Sequence, residues 1–165
     1  MKPKSIKTEL DAIRARSPLL ARPGFLIRRL HQIHTALFLE ETRDHQITPV
    51  QYSLLTALAE EGEMDQNTVA LSIGLERTSV AEVLPRLEAR ELLQRRVSEA
   101  DRRVKLVRLM PKGYDLLESM RVSVQRAHDR TIELLSEPER EMLLVMMARL
   151  VEANEGHSVA PMRLR

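Results

Sequence analysis

Two histidines one helical turn apart are the side chains whose types and spacing could most directly do chemistry. They are His31 and His34 in the stretch "HQIH", and their imidazoles could bind one metal ion or act as an acid and a base. A metal site needs further ligands, but the chain has no cysteine and no acidic set completes the pair. Ordinary histidines on a helix face are therefore favoured, and a metal-responsive site is the alternative. With no glycine-rich phosphate loop either, we expect no cofactor and no enzymatic activity.

A cluster of cationic residues offers a second kind of chemistry, the binding of a polyanion. Between Arg77 and Lys112 there are ten basic and five acidic residues, so this segment carries a net charge of +5 although the whole chain carries only +2. The rest of the chain is consequently acidic on balance. This uneven distribution favours a nucleic-acid-binding face over an evenly solvated surface.

The elements that position these cations follow from caps, glycines and hydrophobic spacing. Asp65 precedes a short helix that ends around Ser72 to Gly74, and a second helix is predicted from about Glu76 to Arg90. Two short helices joined through glycine are typical of a helix-turn-helix, whose second helix enters the DNA major groove by its N-terminal end. An ordinary helical hairpin is equally compatible with this pattern alone.

An alternation of apolar and polar residues after these helices decides between the two interpretations. "LLQRRVS" and "VKLVRLM" alternate with period two around the loop "EADRR", which predicts a β-hairpin. A helix-turn-helix followed by a basic hairpin is a winged helix, in which the tip of the hairpin reaches the adjacent DNA backbone or minor groove. Arginine suits a narrow minor groove. Because phosphate repels a carboxylate, we expect Asp101 to orient the wing and not to contact DNA.

The segment "LEARELLQRRVSEADRRVKLVRLMPKG" resembles the MarR family of bacterial transcription regulators. The similarity consists of an Asp-x-Arg wing that ends at Arg103, a strand, and a Lys-Gly pair that opens the next helix, and it extends over residues 23–151. Three residues depart from the family pattern. Glu91 replaces a helix-ending glycine, Pro111 replaces a capping threonine, and Pro85 is expected to interrupt and kink the recognition helix.

The resemblance implies a homodimeric repressor that binds an inverted-repeat operator in double-stranded DNA. A winged-helix adapter that binds another protein is the alternative, which the charge of the wing disfavours. The residues predicted to contact DNA lie in the helix-turn-helix and the wing: Gln66, Asn67, Arg77, Thr78, Ser79, Arg86, Arg102 and Arg103. Among them, Thr78, Ser79 and Arg86 are expected to face the duplex. Arg77 is expected to contact a base, a phosphate or both.

A polar face of the first long helix is the predicted place of the regulatory signal. His31, His34 and Phe38 follow one another at i, i+3 and i+7, beside the apolar stripe of this helix. The resemblance implies a pocket between the dimerisation helices and the winged-helix lobe, which Tyr52 and Tyr114 could also reach. The alternative is that the histidines serve only the packing of the helix.

Imidazole and phenol groups suit a small aromatic acid as the ligand of this pocket. Aromatic rings stack, and a protonated histidine, Arg28 or Arg29 could pair with the carboxylate. The stretch "RPGFLIRRLHQIHTALFLEE" resembles the subgroup that controls the catabolism of such acids. A hydroxylated nicotinate or a hydroxybenzoate is therefore the expected effector.

The complete prediction is a mainly α protein, a winged helix-turn-helix with long N- and C-terminal dimerisation helices in the order four helices, two strands, two helices. Its parts are a basic N-terminal arm (1–22), dimerisation helices (23–47 and 111–155), the DNA-binding lobe (48–110) and a flexible tail (156–165). The C-terminal amphipathic helices have too little chain to pack against within one subunit, so they are expected to pair with a second copy. With no apolar run of membrane-spanning length and no secretory signal, a cytoplasmic protein is expected.

Overall fold

The structure is a computed structural model that describes residues 5–163 of the chain. The helices in that range are α1 (Ile6–Arg16), α2 (Pro23–Glu41), α3 (Pro49–Glu61), α4 (Gln66–Ser72), α5 (Arg77–Ala89), α6 (Pro111–Ile132) and α7 (Glu137–Asn154). Single turns of 3-10 helix follow α2 at Arg43–His45 and α7 at Glu155–His157. Lys2 and Lys4 of the predicted arm, and the last two residues of the predicted tail, lie outside the described residues.

Short antiparallel strands form the wing sheet, in which the last strand along the chain lies between the other two. The strands are β1 (Met64–Asp65), β2 (Leu93–Val97) and β3 (Lys105–Leu109). Strands β2 and β3 make the predicted hairpin, in which Leu93 lies opposite Leu109. Strand β1 was not predicted, because two residues cannot show an alternation, and it forms by pairing Met64 with Val107 of β3. The predicted mainly α winged helix-turn-helix is confirmed, with α1 as an added helix within the predicted arm.

Side-chain caps fix where three of the helices begin. Asp65 accepts hydrogen bonds from the backbone N–H groups of Asn67 (2.8 Å) and Thr68 (3.2 Å) at the start of α4. Thr48 and Ser136 begin α3 and α7 in capping boxes, each with its partner three residues later. All three were predicted from the sequence, because Thr48 precedes a proline at the first helical position, Ser136 precedes Glu139 by three residues, and Asp65 precedes a short helix.

The hydrophobic core joins the winged-helix lobe to α6. Fully buried leucines of α3 and α5 form its centre: Leu54, Leu55, Leu58, Leu84 and Leu87. Met120, Val124 and Ala127 of α6 belong to the same core, and α6 also packs along α2. The prediction that α6 lacks partners within its own subunit is therefore wrong. In contrast, α7 has no buried residue, and α2 buries only Phe38.

The departures from the family pattern are accommodated locally. Helix α5 continues through Pro85, so the expected interruption is wrong. Proline has no N–H to donate to the carbonyl of Ala81. Because Pro85 is exposed, this carbonyl can accept a hydrogen bond from water instead. Pro111 is the first residue of α6, where no intrahelical donor is needed. Glu91 takes a left-handed conformation, φ 63°, which favours glycine.

The C-terminal segment, which was predicted to be a flexible tail, contacts the winged-helix lobe through Met162 and Arg163. Met162 lies against the turn between α4 and α5. A Cβ atom added to Gly74 in this turn would be 3.3 Å from the Cβ of Met162. The backbone N–H of Arg163 donates to the carbonyl of Leu71 at 2.8 Å. The apolar Met162 side chain therefore packs on the turn at Gly74. Within the described residues, no helix is both long and apolar enough to cross a membrane.

Candidate nucleic-acid interface and adjoining pocket

The exposed face of α5 is the first part of the candidate nucleic-acid interface. Thr78, Glu82 and Pro85 are exposed and share one side of the helix, because they are spaced by three and four residues. Arg77 and Arg86, also exposed, are nine residues apart and therefore on opposite flanks, about 180° from each other around the helix axis. This face can present small side chains and one carboxylate to base edges, with an arginine on either side for phosphate.

The remaining residues predicted on the helix-turn-helix are less prominent. Ser79 is half-buried and lies on the Arg86 flank, away from the centre of the exposed face. Asn67 is exposed and Gln66 half-buried in the first turn of α4. Glu82 was not predicted, although its spacing from Thr78 could have identified it.

The wing tip is held by the carboxylate of Asp101. Its Oδ1 accepts hydrogen bonds from the backbone N–H of Arg103 (2.9 Å) and from Nε of the same residue (3.1 Å), and Oδ2 accepts from its Nη2 at 3.1 Å. The side-chain hydrogen bond from Arg103 lowers the pKa of Asp101 below its ordinary value. The Arg103 side chain nevertheless remains 92% exposed. The wing therefore offers an arginine that is oriented and also accessible.

Several other cations of the basic segment are occupied within the lobe. Glu88 of α5 accepts from the backbone N–H of Arg95 at 2.9 Å and also from its side chain. Glu63 receives Arg96 in a bidentate pair at 2.9 and 2.6 Å. These contacts join β2 to the recognition helix and to the loop before β1. Within residues 5–163, four cations of the segment have no ion pair or side-chain hydrogen bond: Arg77, Arg86, Arg102 and Lys105.

A pocket of about 360 Å³ lies where α2, α3 and α6 meet the end of α4. Three of the predicted ligand residues line it, namely His34, Phe38 and Tyr52. The rings of Phe38 and Tyr52 meet edge to face, with centroids 5.9 Å apart. Met162 closes one side. The pocket is therefore aromatic in part and adjoins the turn of the helix-turn-helix.

Three other predicted ligand residues lie outside this pocket in a single subunit. His31 is exposed on α2; it shares the helix face of Phe38, seven residues later, but lies about 10 Å nearer the N-terminus of the helix. The guanidinium of Arg28 lies over the ring of Phe25, 5.3 Å from its centroid. Tyr114 is 49% exposed in the first turn of α6. Helical spacing alone does not show which part of a helix face the rest of the protein covers.

His34 is the most constrained polar group of the pocket. Its Nδ1 lies 2.9 Å from Oγ1 of Thr131, and its ring stacks on that of His128, with centroids 4.9 Å apart. Burial lowers the pKa of His34, and the nearby imidazoles of His128 and His31 lower it further. His128 was missed by the sequence analysis, because only the packing of α6 on α2 brings it here.

A buried hydroxyl and two carboxylates complete the polar lining. Oγ1 of Thr56 is shielded from solvent and has no hydrogen-bond partner among the described residues, and Glu60 and Glu61 lie on the same helix. No lysine or arginine lines the pocket within residues 5–163. No group of three or more His, Asp or Glu side chains that could hold a metal ion is found there either. The lining suits an aromatic ring that carries hydrogen-bonding substituents.

A second, more open hollow of about 530 Å³ lies at the first turns of α6. Its lining includes Arg90 and Lys112 but no aromatic ring and no imidazole. Arg90 donates to the backbone carbonyls of His45 and Gln46, and Lys112 pairs with Glu91 at 3.0 Å. Its cations are therefore already engaged, which makes this hollow a weaker candidate.

Comparisons with known proteins agree with this architecture. Residues 47–105 match the model of the MarR family. The chain is 29% identical over 133 residues to the HTH-type transcriptional repressor NicR of Pseudomonas putida, over 81% of this chain and 84% of that protein. It is 31% identical over 115 residues to the HTH-type transcriptional regulator MhqR of Bacillus subtilis, over 69% of this chain and 79% of that protein.

Solved structures show the same similarity at the level of the fold. One of them is BpsR of Bordetella bronchiseptica, whose DNA binding is described as regulated by 6-hydroxynicotinic acid. It is 31% identical to this chain with a TM-score of 0.74, and the match covers 78% of this chain and 92% of that one. The transcriptional repressor CouR, bound to a 23-mer DNA duplex, is also 31% identical with a TM-score of 0.74, over 79% of this chain and 92% of that one.

Proposed function

The chain belongs to the MarR family of transcriptional regulators, and on this premise we propose that it is a homodimeric repressor released from its operator by a small hydroxylated aromatic acid. As a member of this family it is a DNA-binding regulator and not an enzyme. The proposal has three parts: the mode of DNA binding, the dimer, and the effector.

DNA binding is assigned to α5 and the wing together. The arginines on the two flanks of α5 suit the phosphates on either side of a major groove, and the exposed Thr78 and Glu82 suit base edges. The oriented Arg103 suits the adjacent minor groove. CouR, a protein of the same fold, is known bound to a DNA duplex. A dimer would place two copies of this face on an inverted repeat.

The homodimer is supported by apolar surface that one subunit leaves uncovered. Helix α7 exposes Met142, Leu144, Val145, Met146, Met147, Leu150 and Val151. The first half of α2 exposes Leu26, Ile27, Leu30 and Ile33. Contiguous apolar surface on terminal helices is typical of a protein–protein interface, and a second copy of the chain is the partner that family membership suggests.

The effector is assigned to the pocket between α2, α3 and α6, and its position is the observation that carries the proposal. An aromatic wall of Phe38 and Tyr52 and the imidazole of His34 lie next to the turn that leads into the recognition helix. NicR is described as a repressor, and BpsR as regulated by 6-hydroxynicotinic acid. A ligand of that class fits this lining by ring stacking and hydrogen bonding.

The proposal is tested by measuring operator release. The DNA upstream of the protein's own gene is labelled, and the affinity of the protein is followed by fluorescence anisotropy with and without 6-hydroxynicotinate or 4-hydroxybenzoate. We expect one of these acids to weaken specific binding and light scattering to give a mass twice that of the chain. A monomer, or an operator complex that no aromatic acid weakens, would contradict the proposal.

The alternatives have less support. A His-ligated metal switch would require ligands beyond the stacked His34 and His128, and Asp or Glu side chains do not complete such a set within the described residues. An adapter that binds proteins through the wing would not need the four unpaired cations around α5 and the wing. Loss of duplex binding as salt rises would favour DNA over a protein partner.

A further inference from the structure

The hydrogen-bond partners of His34 determine which of its ring nitrogens carries the proton. The hydroxyl of Thr131 donates its single hydrogen to the backbone carbonyl of Ala127, at 2.7 Å. The same oxygen lies 2.9 Å from Nδ1 of His34, so it must act there as the acceptor, and Nδ1 must carry a hydrogen. In the neutral ring the other nitrogen, Nε2, is then an acceptor without a hydrogen of its own.

The surroundings of His34 favour this neutral form. The ring is partly buried and stacks on a second imidazole, that of His128. Burial and the neighbouring histidines together hold the pKa of His34 below its ordinary value. The titratable groups that line the same pocket are Glu60, Glu61, Tyr52 and His128. Nε2 has no hydrogen-bond partner among residues 5–163, which leaves its lone pair available to a ligand.

The other polar groups of the pocket point to the same chemistry. No lysine or arginine lines it within the described residues, whereas Glu60 does, so a carboxylate placed beside Glu60 would meet like charge. A hydroxyl or a ring N–H can donate to an imidazole nitrogen without that repulsion. The Phe38 and Tyr52 rings supply the apolar surface for the aromatic ring that carries the donor.

We propose that Nε2 of His34 accepts a hydrogen bond from the effector, so that the pocket selects aromatic acids with a ring hydroxyl or a ring N–H over the same acids without one. This inference rests on the proposed function and adds the group that sets its specificity. Thr131 acts as a positioning residue, because it holds the tautomer of His34 and does not touch the effector.

The test compares matched pairs of acids by calorimetry on the full-length protein at about pH 8, where the imidazole is neutral. The pairs are 6-hydroxynicotinate with nicotinate, and 4-hydroxybenzoate with benzoate and 4-methoxybenzoate. The parent is expected to bind each hydroxylated acid up to about tenfold more tightly than its partners, the value of one hydrogen bond between neutral groups. The methoxy compound has the size of the hydroxylated acid but no donor, and should rank with benzoate.

Variants separate the acceptor from simple packing. His34→Phe keeps an aromatic ring without an acceptor. It should still bind the acids, but with nearly equal affinity for the hydroxylated and the unsubstituted acid of each pair. Thr131→Val removes the oxygen that holds the hydrogen on Nδ1 of His34, and should reduce the preference for hydroxylated acids severalfold. Thr131→Ser keeps the hydroxyl and should keep the preference of the parent. Thermal unfolding of each variant confirms that it is folded.

The outcomes distinguish the inference from the function on which it rests. If the parent binds hydroxylated and unsubstituted acids equally, or His34→Phe keeps the preference, the role of Nε2 is overturned while the effector pocket stands. If Thr131→Val behaves as Thr131→Ser does, the positioning role of Thr131 is overturned. If no aromatic acid binds the parent, the proposed effector class is refuted, and the inference with it.

Discussion

Replacing Arg103 by alanine is the most direct test of how the wing contributes to DNA binding. The side chain is 92% exposed and held by the carboxylate of Asp101. An exposed ion pair contributes little to folding, so the substitution should change the free energy of unfolding by at most about 0.5 kcal/mol. The thermal midpoint and the proposed dimer should therefore stay almost unchanged.

The effect on DNA binding should be much larger. Loss of an arginine that contacts the operator costs about 1 to 3 kcal/mol, or roughly a 5- to 150-fold rise in the dissociation constant for each half-site. The upper part of this range applies because Asp101 already holds the guanidinium with two side-chain hydrogen bonds. The entropy of ordering the arginine is thus lost before binding, and less is lost on the DNA.

The assay is fluorescence anisotropy on operator and on random duplex, repeated over a series of salt concentrations. Arg121→Ala is the matched control, since that arginine is also exposed and paired with an acid, Glu118, but lies on α6 away from the wing. Asp101→Ala should free Arg103, weaken operator binding severalfold, and leave or raise the affinity for random DNA, because a negative charge is removed beside the phosphates.

Two results would refute this reasoning about the wing. Equal operator affinity of Arg103→Ala and Arg121→Ala at fixed salt would mean that the wing arginine does not reach DNA. An unchanged operator affinity in Asp101→Ala would mean that the carboxylate does not orient it. A loss that is equal on operator and random DNA, with a salt slope lower by about one per contact, would assign Arg103 to phosphate.

Further predictions concern the recognition helix, two backbone positions and one ion pair. Glu82→Ala should relax operator specificity at one base pair and raise affinity for random DNA, because a carboxylate on the exposed face can accept from cytosine; an unchanged specificity profile in competition assays would exclude this contact. Glu91→Gly should stabilise the fold by about 0.5 to 1 kcal/mol, since φ is 63° there, and a lower urea midpoint than the parent would contradict it. Gly113→Ala should destabilise by about 1 to 3 kcal/mol, because the new Cβ would meet the carbonyl of Leu92 and lie 2.6 Å from Cδ1 of Leu109; equal midpoints would disprove the close approach. Hydrogen bonding to Arg130 lowers the pKa of Glu41 below its ordinary value. Glu41→Gln should therefore be less stable than the parent at pH 7, and this difference in the free energy of unfolding should disappear as pH falls through the lowered pKa. A difference from the parent that does not shrink as pH falls below the ordinary range of a glutamate would mean that the ion pair is not its source.

The parts of the fold that the sequence predicted are those determined by neighbours in the chain. The caps at Thr48, Asp65 and Ser136 need only the next three residues, and the hairpin needs only the alternation around its loop. Strand β1 depends instead on Val107, more than forty residues further along the chain. A two-residue strand carries no periodic signal of its own, so only the folded sheet defines it.

The pocket was predicted in part for the same reason. Helical spacing places His34 and Phe38 on one face of α2, and the family resemblance brings Tyr52 to the same pocket. His128 joins them because α6 packs along α2, and this contact spans about ninety residues of sequence. Tyr114 is on the same helix as His128 but fourteen residues, or about 21 Å, nearer its N-terminus. Helical spacing gives the face of a side chain relative to its own helix, and tertiary packing decides which faces meet.

The position of the pocket provides a physical route from ligand to DNA. Ser72 and Ile73 line it at the end of α4, and Gly74 follows them in the left-handed conformation, φ 60°, that turns the chain towards α5. Met162 touches both the pocket and this glycine. A ligand that displaces Met162 or moves Ile73 therefore acts on the turn that sets the direction of the recognition helix. In the proposed dimer, a small rotation of each α5 would change the spacing of two DNA contacts at once, so the proposed effector would release the operator if it bound the DNA-incompetent arrangement more tightly.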